Sequence, residues 1–163
     1  MKIYHGSLEK VEKPEIRISE HRTLDYGFGF YTTTSFEQSK DWVKRRMDSA
    51  KVQHGFINTY QFDKNALTDL KCLIFESPTE NWVDFVMNNR TQKGFVHEYD
   101  IVYGPVANDR VYASFALYEG GLIDKKTLIS ELKTYKLVDQ YLFHTEEAIK
   151  YINFISAEEV QSC

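Results

Sequence analysis

The stretch Tyr26-Gly27-Phe28-Gly29-Phe30-Tyr31-Thr32-Thr33-Thr34-Ser35-Phe36-Glu37-Gln38 decides how the chain is read. Two glycines precede a run of aromatic and β-branched residues, so the backbone bends and then enters a strand, where such side chains fit a pleated, half-buried surface. Ser35 with Gln38 three residues on has the form of a capping box. Phe36, Val43, Met47 and Ala50 follow at helical spacing, which predicts a helix over 36–52, broken by Gly55. Upstream, Lys2 to Tyr4 reads as a short strand entering a Gly6-Ser7 turn, and the next twenty or so residues, with Pro14 among them, as a loop-rich crossover.

Downstream, 56–62 and 72–75 are β-rich, and Pro78 opens a helix whose Trp82, Phe85, Val86 and Asn89 share a face and which ends near Arg90. A strand over 99–103 stops at Gly104-Pro105. Helices over 111–118 and 125–135 flank Gly120-Gly121, the second capped by Asp124. The chain then returns to β at 141–143, turns helically between 145 and 151, and ends on a strand over 153–156. Strands and helices mix without strict alternation, which predicts an α+β fold on an antiparallel or mixed sheet and argues against a doubly wound one.

At 163 residues, 42% hydrophobic and 27% charged, the chain fits a single domain over 1–163, with no repeat, low-complexity tract or linker. A domain of this size buries roughly 70% of the surface its unfolded chain exposes and needs no disulfide or structural metal. The two cysteines, Cys72 and Cys163, lie far apart, and Met1 to Gly6 holds no signal-like apolar run, so a cytoplasmic setting is expected. The longest nearly continuous apolar run, 111–118, is far short of the ~20 residues that span a bilayer, so no membrane is expected. A net charge of −4 gives no global reason to bind nucleic acid. Aromatic residues make up 15% of the chain, enough both to fill a core and to line a site for a flat ligand.

Several site chemistries drop out. Gly27 and Gly29 precede their strand instead of following one, and no third glycine completes a dinucleotide fingerprint. No phosphate-cradling Gly-Lys-Ser/Thr and no Gly-x-Ser-x-Gly elbow occurs. The histidines, His5, His21, His54, His97 and His144, lack metal-ligand spacing, so no metal is expected. Lys44-Arg45-Arg46 reads first as a solvated helix face and second as a phosphate contact.

What remains is Tyr4-His5-Gly6-Ser7, then Gly27-Phe28-Gly29-Phe30-Tyr31 about twenty residues on, then an eleven-residue step to Trp42. This order resembles the ADP-ribosyltransferase superfamily, in the branch shared by poly(ADP-ribose) polymerases and diphtheria toxin, whose triad is a His on the first strand, a Tyr after a glycine-flanked strand entry and a late Glu. With Asp25 to Tyr31, Tyr99-Asp100-Ile101-Val102-Tyr103-Gly104-Pro105-Val106-Ala107 and Gln140-Tyr141-Leu142-Phe143-His144-Thr145, the chain is most similar to a bacterial domain of unknown function family, 3990, assigned to that superfamily. The resemblance spans nearly the whole chain and implies an ADP-ribosyltransferase-like fold, a split β-sheet flanked by helices.

It also implies NAD as co-substrate and His5, Tyr31 and Gln140 as the catalytic positions. His5, Gly6, Ser7, Tyr31, Ser39 and Trp42 would bind the dinucleotide. Tyr31 and Trp42 would sandwich the nicotinamide, Ser39 and the Gly6 backbone would hold its carboxamide, and His5 would bond a ribose hydroxyl on the adenosine side. The departure is Gln140, which stands where the superfamily has Glu. A carboxylate accepts the 2'-hydroxyl and stabilises positive charge on the sugar, whereas an amide does only the first well; such a group is worth roughly 3 kcal/mol. Glu119, Glu146 and Glu147 are alternative sources of charge, although the last two read as first-turn helix residues favoured by the dipole. The expected function is mono-ADP-ribosyl transfer to a macromolecular acceptor (protein, DNA or RNA), by analogy as a bacterial toxin or phage-defence effector checked by a small antitoxin-like protein. NAD glycohydrolysis and a weak or inactive NAD/ADP-ribose-binding module are the alternatives.

Overall fold

The strand and helix predicted from the opening stretch are present as β2 (Phe30–Thr33) and α1 (Phe36–Ala50), and β2 lies in the middle of the sheet. The computed structural model describes residues 1–16, 28–92, 97–105, 109–134 and 137–162. The crossover residues 17–27, Tyr26 and Gly27 of the bend, Val106-Ala107, Tyr135 and Cys163 lie outside them. The Ser35 hydroxyl accepts from the Gln38 amide at 3.2 Å, one half of the capping box; the other half is replaced, since the Ser35 amide donates to the Thr33 hydroxyl at 3.1 Å, and Lys51 ends α1 in the left-handed region at φ 54.

Among the described residues the remaining strands are β1 (Lys2–Ser7), β3 (His54–Phe62), β4 (Cys72–Ile74), β5 (Ile101–Pro105), β6 (Asp139–Phe143) and β7 (Ile152–Gln161). The helices are α2 (Ala66–Asp69), α3 (Glu80–Thr91), α4 (Asp109–Glu119), α5 (Lys125–Leu132) and α6 (Glu146–Ile149). The sheet runs β4-β5-β6-β2-β1-β3-β7, with β4 and β5 parallel and every other neighbour antiparallel. The fold is therefore α+β on a mixed sheet. Its seven strands form one sheet, but β1 and β2 share a single registered pair, Tyr4↔Thr33, while β1 pairs with β3 from Lys2↔Gln61 through Ser7↔Phe56. Beyond that pair no further register joins β1 to β2.

Two local readings are corrected. Gly6 and Ser7 do not turn: they continue β1, opposite Ile57 and Phe56. The last strand runs to Gln161, well past 156; its outer half is mostly polar and exposed, with Val160 alone buried, and so shows no apolar alternation in sequence. A bulge opposite Thr59 and Tyr60 leaves Ile155 without a partner in the ladder, 46% exposed. The short α2 was not anticipated, since four residues are too few for a helical period to register.

Strand alternation puts Ile3 and His5 on one face and Tyr4 and Gly6 on the other. Ile3 packs with Phe30, Tyr60, Phe62, Ile101, Tyr141 and Phe143. On the opposite face Val43 and Met47 of α1 cover Ile57 and Val160, and across the split Trp82, Val86, Phe115, Leu128 and Leu132 cover Val102 and Leu142. Each such side chain contributes roughly 1.5–3 kcal/mol by leaving water. The two helical groups thus sit on the same side of the sheet, one on each half.

Glycines mark two of the tightest approaches. A Cβ on Gly6 would stand 2.8 Å from both the Ser39 carbonyl oxygen and Val43 Cγ2. A Cβ on Gly29 would stand 2.8 Å from His144 Nδ1. That imidazole, just past β6, donates from Nδ1 to the Phe28 carbonyl at 2.6 Å and meets His97 edge to face at 4.3 Å. Burial lowers its pKa to about 4; the bond to Phe28 and the charge of Asp100 oppose the shift, and His97 adds to it.

Gly6→Ala should lower stability by about 1–3 kcal/mol, read from urea unfolding, because α1 must lift off β1. His144 is held neutral in the fold and takes a proton readily when unfolded. Its contribution is therefore complete above its ordinary value of 6.5 and is lost as the pH falls toward 4. The difference in melting temperature between the wild type and His144→Asn should shrink across that window; a constant difference would show that His144 does not titrate there.

Candidate functional site at the sheet split

The first turn of α1 lies over β1 where Gly6 has no side chain, and there Gly6, Ser39 and Trp42 meet. From the Cβ position of Gly6, Trp42 Cδ1 is 3.1 Å away and the Ser39 carbonyl oxygen 2.8 Å. Ser39 is 2% exposed, and its hydroxyl has no hydrogen-bond partner. A buried hydroxyl left in this state costs about 1–3 kcal/mol, and a serine within a helix commonly avoids that by bonding back to the preceding turn. Three residues on, Trp42 is 47% exposed, with the Arg45 guanidinium 5.8 Å from its ring centre. Lys44 and Arg45 are exposed and Arg46 is half-buried, as a solvated helix face requires.

His5 stands where the ladder between β1 and β2 gives out. Its Nδ1 lies 2.7 Å from the Tyr31 carbonyl oxygen. Since a carbonyl only accepts, Nδ1 carries the proton, and in the neutral ring the lone pair is on Nε2. The imidazole rests against Phe30 at 4.3 Å. Ser7 shares that face by alternation, and its hydroxyl accepts from the Glu9 amide at 3.2 Å.

Tyr31 pairs with Leu142, and Thr33 with Gln140, so Tyr31 and Gln140 are diagonal neighbours on one face. Tyr4 pairs with Thr33, which makes this the face of Gly6 and α1. Tyr31 is half-buried against the α3–α5 cluster. Gln140 is 7% exposed. The structure therefore places Tyr31, Ser39, Trp42, Gln140 and the Gly6 backbone on one face of the sheet. The ring of His5 and the side chain of Ser7 lie on the other, with His5 tied to Tyr31 through the backbone.

The alternative carboxylates do not join this group. Glu146 and Glu147 are exposed in the first turn of α6, where they were expected, and Glu119 pairs with Arg90 at 3.4 Å. Asp139 adjoins Gln140 but faces the opposite way, accepting from the Tyr103 hydroxyl at 2.6 Å. Burial first, and then this bond, push the Tyr103 phenol well above its usual range. No cluster of three metal-ligating residues exists among the described residues.

Sequence reasoning missed Asp139 and Tyr103, and also Asn58. Asn58 is fully buried; its amide donates to the His5 and Glu9 carbonyls, and its oxygen accepts from the Val11 amide at 2.8 Å. It thereby fastens the segment after β1 over the His5 face. A polar residue within the β-rich 56–62 run was the available signal. Taken together, these residues are two aromatic rings, a buried hydroxyl with no hydrogen-bond partner and a buried neutral amide.

No helix of the described residues is long and apolar enough to cross a membrane. No curated protein and no solved structure matches the chain. A family model described as a protein of unknown function, DUF3990, matches residues 1–154, and the chain belongs to that family.

Proposed function

We propose that this protein binds NAD across the split and cleaves its nicotinamide–ribose bond, transferring ADP-ribose to one nucleophile on a macromolecular acceptor. The observation that carries the reading is the unpartnered Ser39 hydroxyl, buried beside Gly6 and next to Trp42. A nicotinamide carboxamide would supply the missing hydrogen bond, its ring lying between Trp42 and Tyr31. The dinucleotide would then cross the line where β1 and β2 part, bringing its adenosine-side ribose to His5 on the far face. That placement accounts for site residues occurring on both faces of the sheet.

In the reaction the C1'–nitrogen bond breaks with its electron pair leaving on nicotinamide, and the ribose passes through an oxocarbenium-like state. The acceptor's nucleophile attacks C1' and gives up its proton. Gln140 would accept the 2'-hydroxyl without stabilising the positive charge, which fits a slow, single transfer. The same neutral amide favours a second reading, a module that binds NAD or ADP-ribose without turnover.

Free nicotinamide released from NAD by the purified chain separates the two. Transferase activity predicts release that falls at least tenfold in His5→Ala and Tyr31→Ala and rises at least tenfold in Gln140→Glu. Saturable NAD binding without release would establish the module, and absence of both would overturn the proposal. Ser39→Ala should leave stability unchanged or raise it by about 1 kcal/mol, since the variant removes an unsatisfied hydroxyl, while weakening NAD binding about tenfold. A clear loss of stability in urea would show that the hydroxyl is bonded within the protein.

A further inference from the structure

Gln140 and Ser39 come from opposite ends of the chain, yet both must meet one ligand, and the described hydrogen bonds join the two. At the start of β6, the Asp139 carboxylate accepts from the Tyr103 hydroxyl of β5 at 2.6 Å. The carbonyl of the same residue accepts from the Thr34 amide at 3.1 Å and the Thr34 hydroxyl at 3.2 Å. Thr33, in register with Gln140, has its hydroxyl 2.9 Å from Gln38 Oε1 and 3.3 Å from the Asp139 carbonyl. One proton serves one acceptor well, and the shorter contact goes to Gln38. The Thr33 oxygen also accepts the Ser35 amide at 3.1 Å, and Ser35 in turn caps α1. The path runs from Tyr103 through Asp139, Thr34 and Thr33 to the first turn of α1, which carries Ser39.

We infer that Tyr103 is a positioning residue which, by anchoring Asp139, sets Gln140 against the N-terminal turn of α1; the catalytic part of this inference rests on the function proposed above. Asp139 is the pivot. Its carboxylate is held from one face, its carbonyl receives β2, and the next residue is Gln140. Without the phenol hydroxyl the carboxylate has no partner among these groups, and the start of β6 is free to shift against β2. The ring of Tyr103 also stacks on Tyr141 at 4.5 Å. Tyr103→Phe therefore keeps the packing and removes only the hydrogen bond.

The test compares the full-length wild type with Tyr103→Phe, Asp139→Ala and Asp139→Asn by two readouts. In amide nitrogen–proton spectra, Tyr103→Phe and Asp139→Ala should both move the Gln140 carboxamide signals and the backbone amides of Thr34, Ser35, Gln38 and Ser39. Asp139→Asn, which still offers an oxygen to Tyr103, should restore most of them. In nicotinamide release from NAD, Tyr103→Phe should lower kcat roughly tenfold to a hundredfold, with KM changing less than about twofold. Signals that move only within β5, or kcat and KM altered together without rescue by Asp139→Asn, would overturn the inference. If the wild type releases no nicotinamide, the proposed function fails, while the amide signals still decide whether Tyr103 positions Gln140.

Discussion

The whole arrangement depends on one constraint: β1 and β2 must stay adjacent after their ladder has ended. They share only Tyr4↔Thr33, and one residue further on, the imidazole of His5 replaces backbone pairing by donating to the Tyr31 carbonyl. An ordinary ladder would have satisfied that carbonyl with an amide and closed the sheet. With a side chain in its place, the registered pairing of the two strands stops at Tyr4↔Thr33. Such bonds are worth only about 0.5–1.5 kcal/mol net. Each half of the sheet also has its own cover: α1 holds β1, β3 and β7, while α3 to α5 hold β5 and β6.

Much of this was legible in the sequence for definite reasons. The Ser35 and Gln38 pair located the start of α1 because capping is local, and the 29–34 run located β2 because aromatic and β-branched residues after glycine have few other uses. The Gly6-Ser7 reading failed because a glycine permitting a turn and a glycine admitting a helix look identical in sequence. Only the proximity of Ser39 and Val43, more than thirty residues away, tells them apart. The outer half of β7 was invisible for the converse reason: Glu158 and Glu159 are exposed, and its strand character comes from β3.

The candidate site was legible as a set of residues but not as a geometry. Spacing put Ser39 and Trp42 on one side of α1, and no spacing rule could say that His5 and Tyr31 leave opposite faces of the sheet. That follows from register, which is settled by pairing between distant segments. Asp139 was overlooked because it belongs to no recognisable motif, and Tyr103, although inside the 99–107 block, was given no role there. Their meaning comes from a hydrogen bond spanning 36 residues.

The outermost strand, β7, has a bearing on how these molecules behave in company. Ten residues long and paired only with β3 among the described residues, it would be a ready template for a neighbour's backbone if it were straight and apolar. It is neither: the bulge at Ile155 interrupts the row of donors and acceptors halfway along, and Glu158 and Glu159 place like charges opposite any copy that tried to add on. This edge of the sheet thus carries two features that disfavour strand addition, an irregular ladder and like charge.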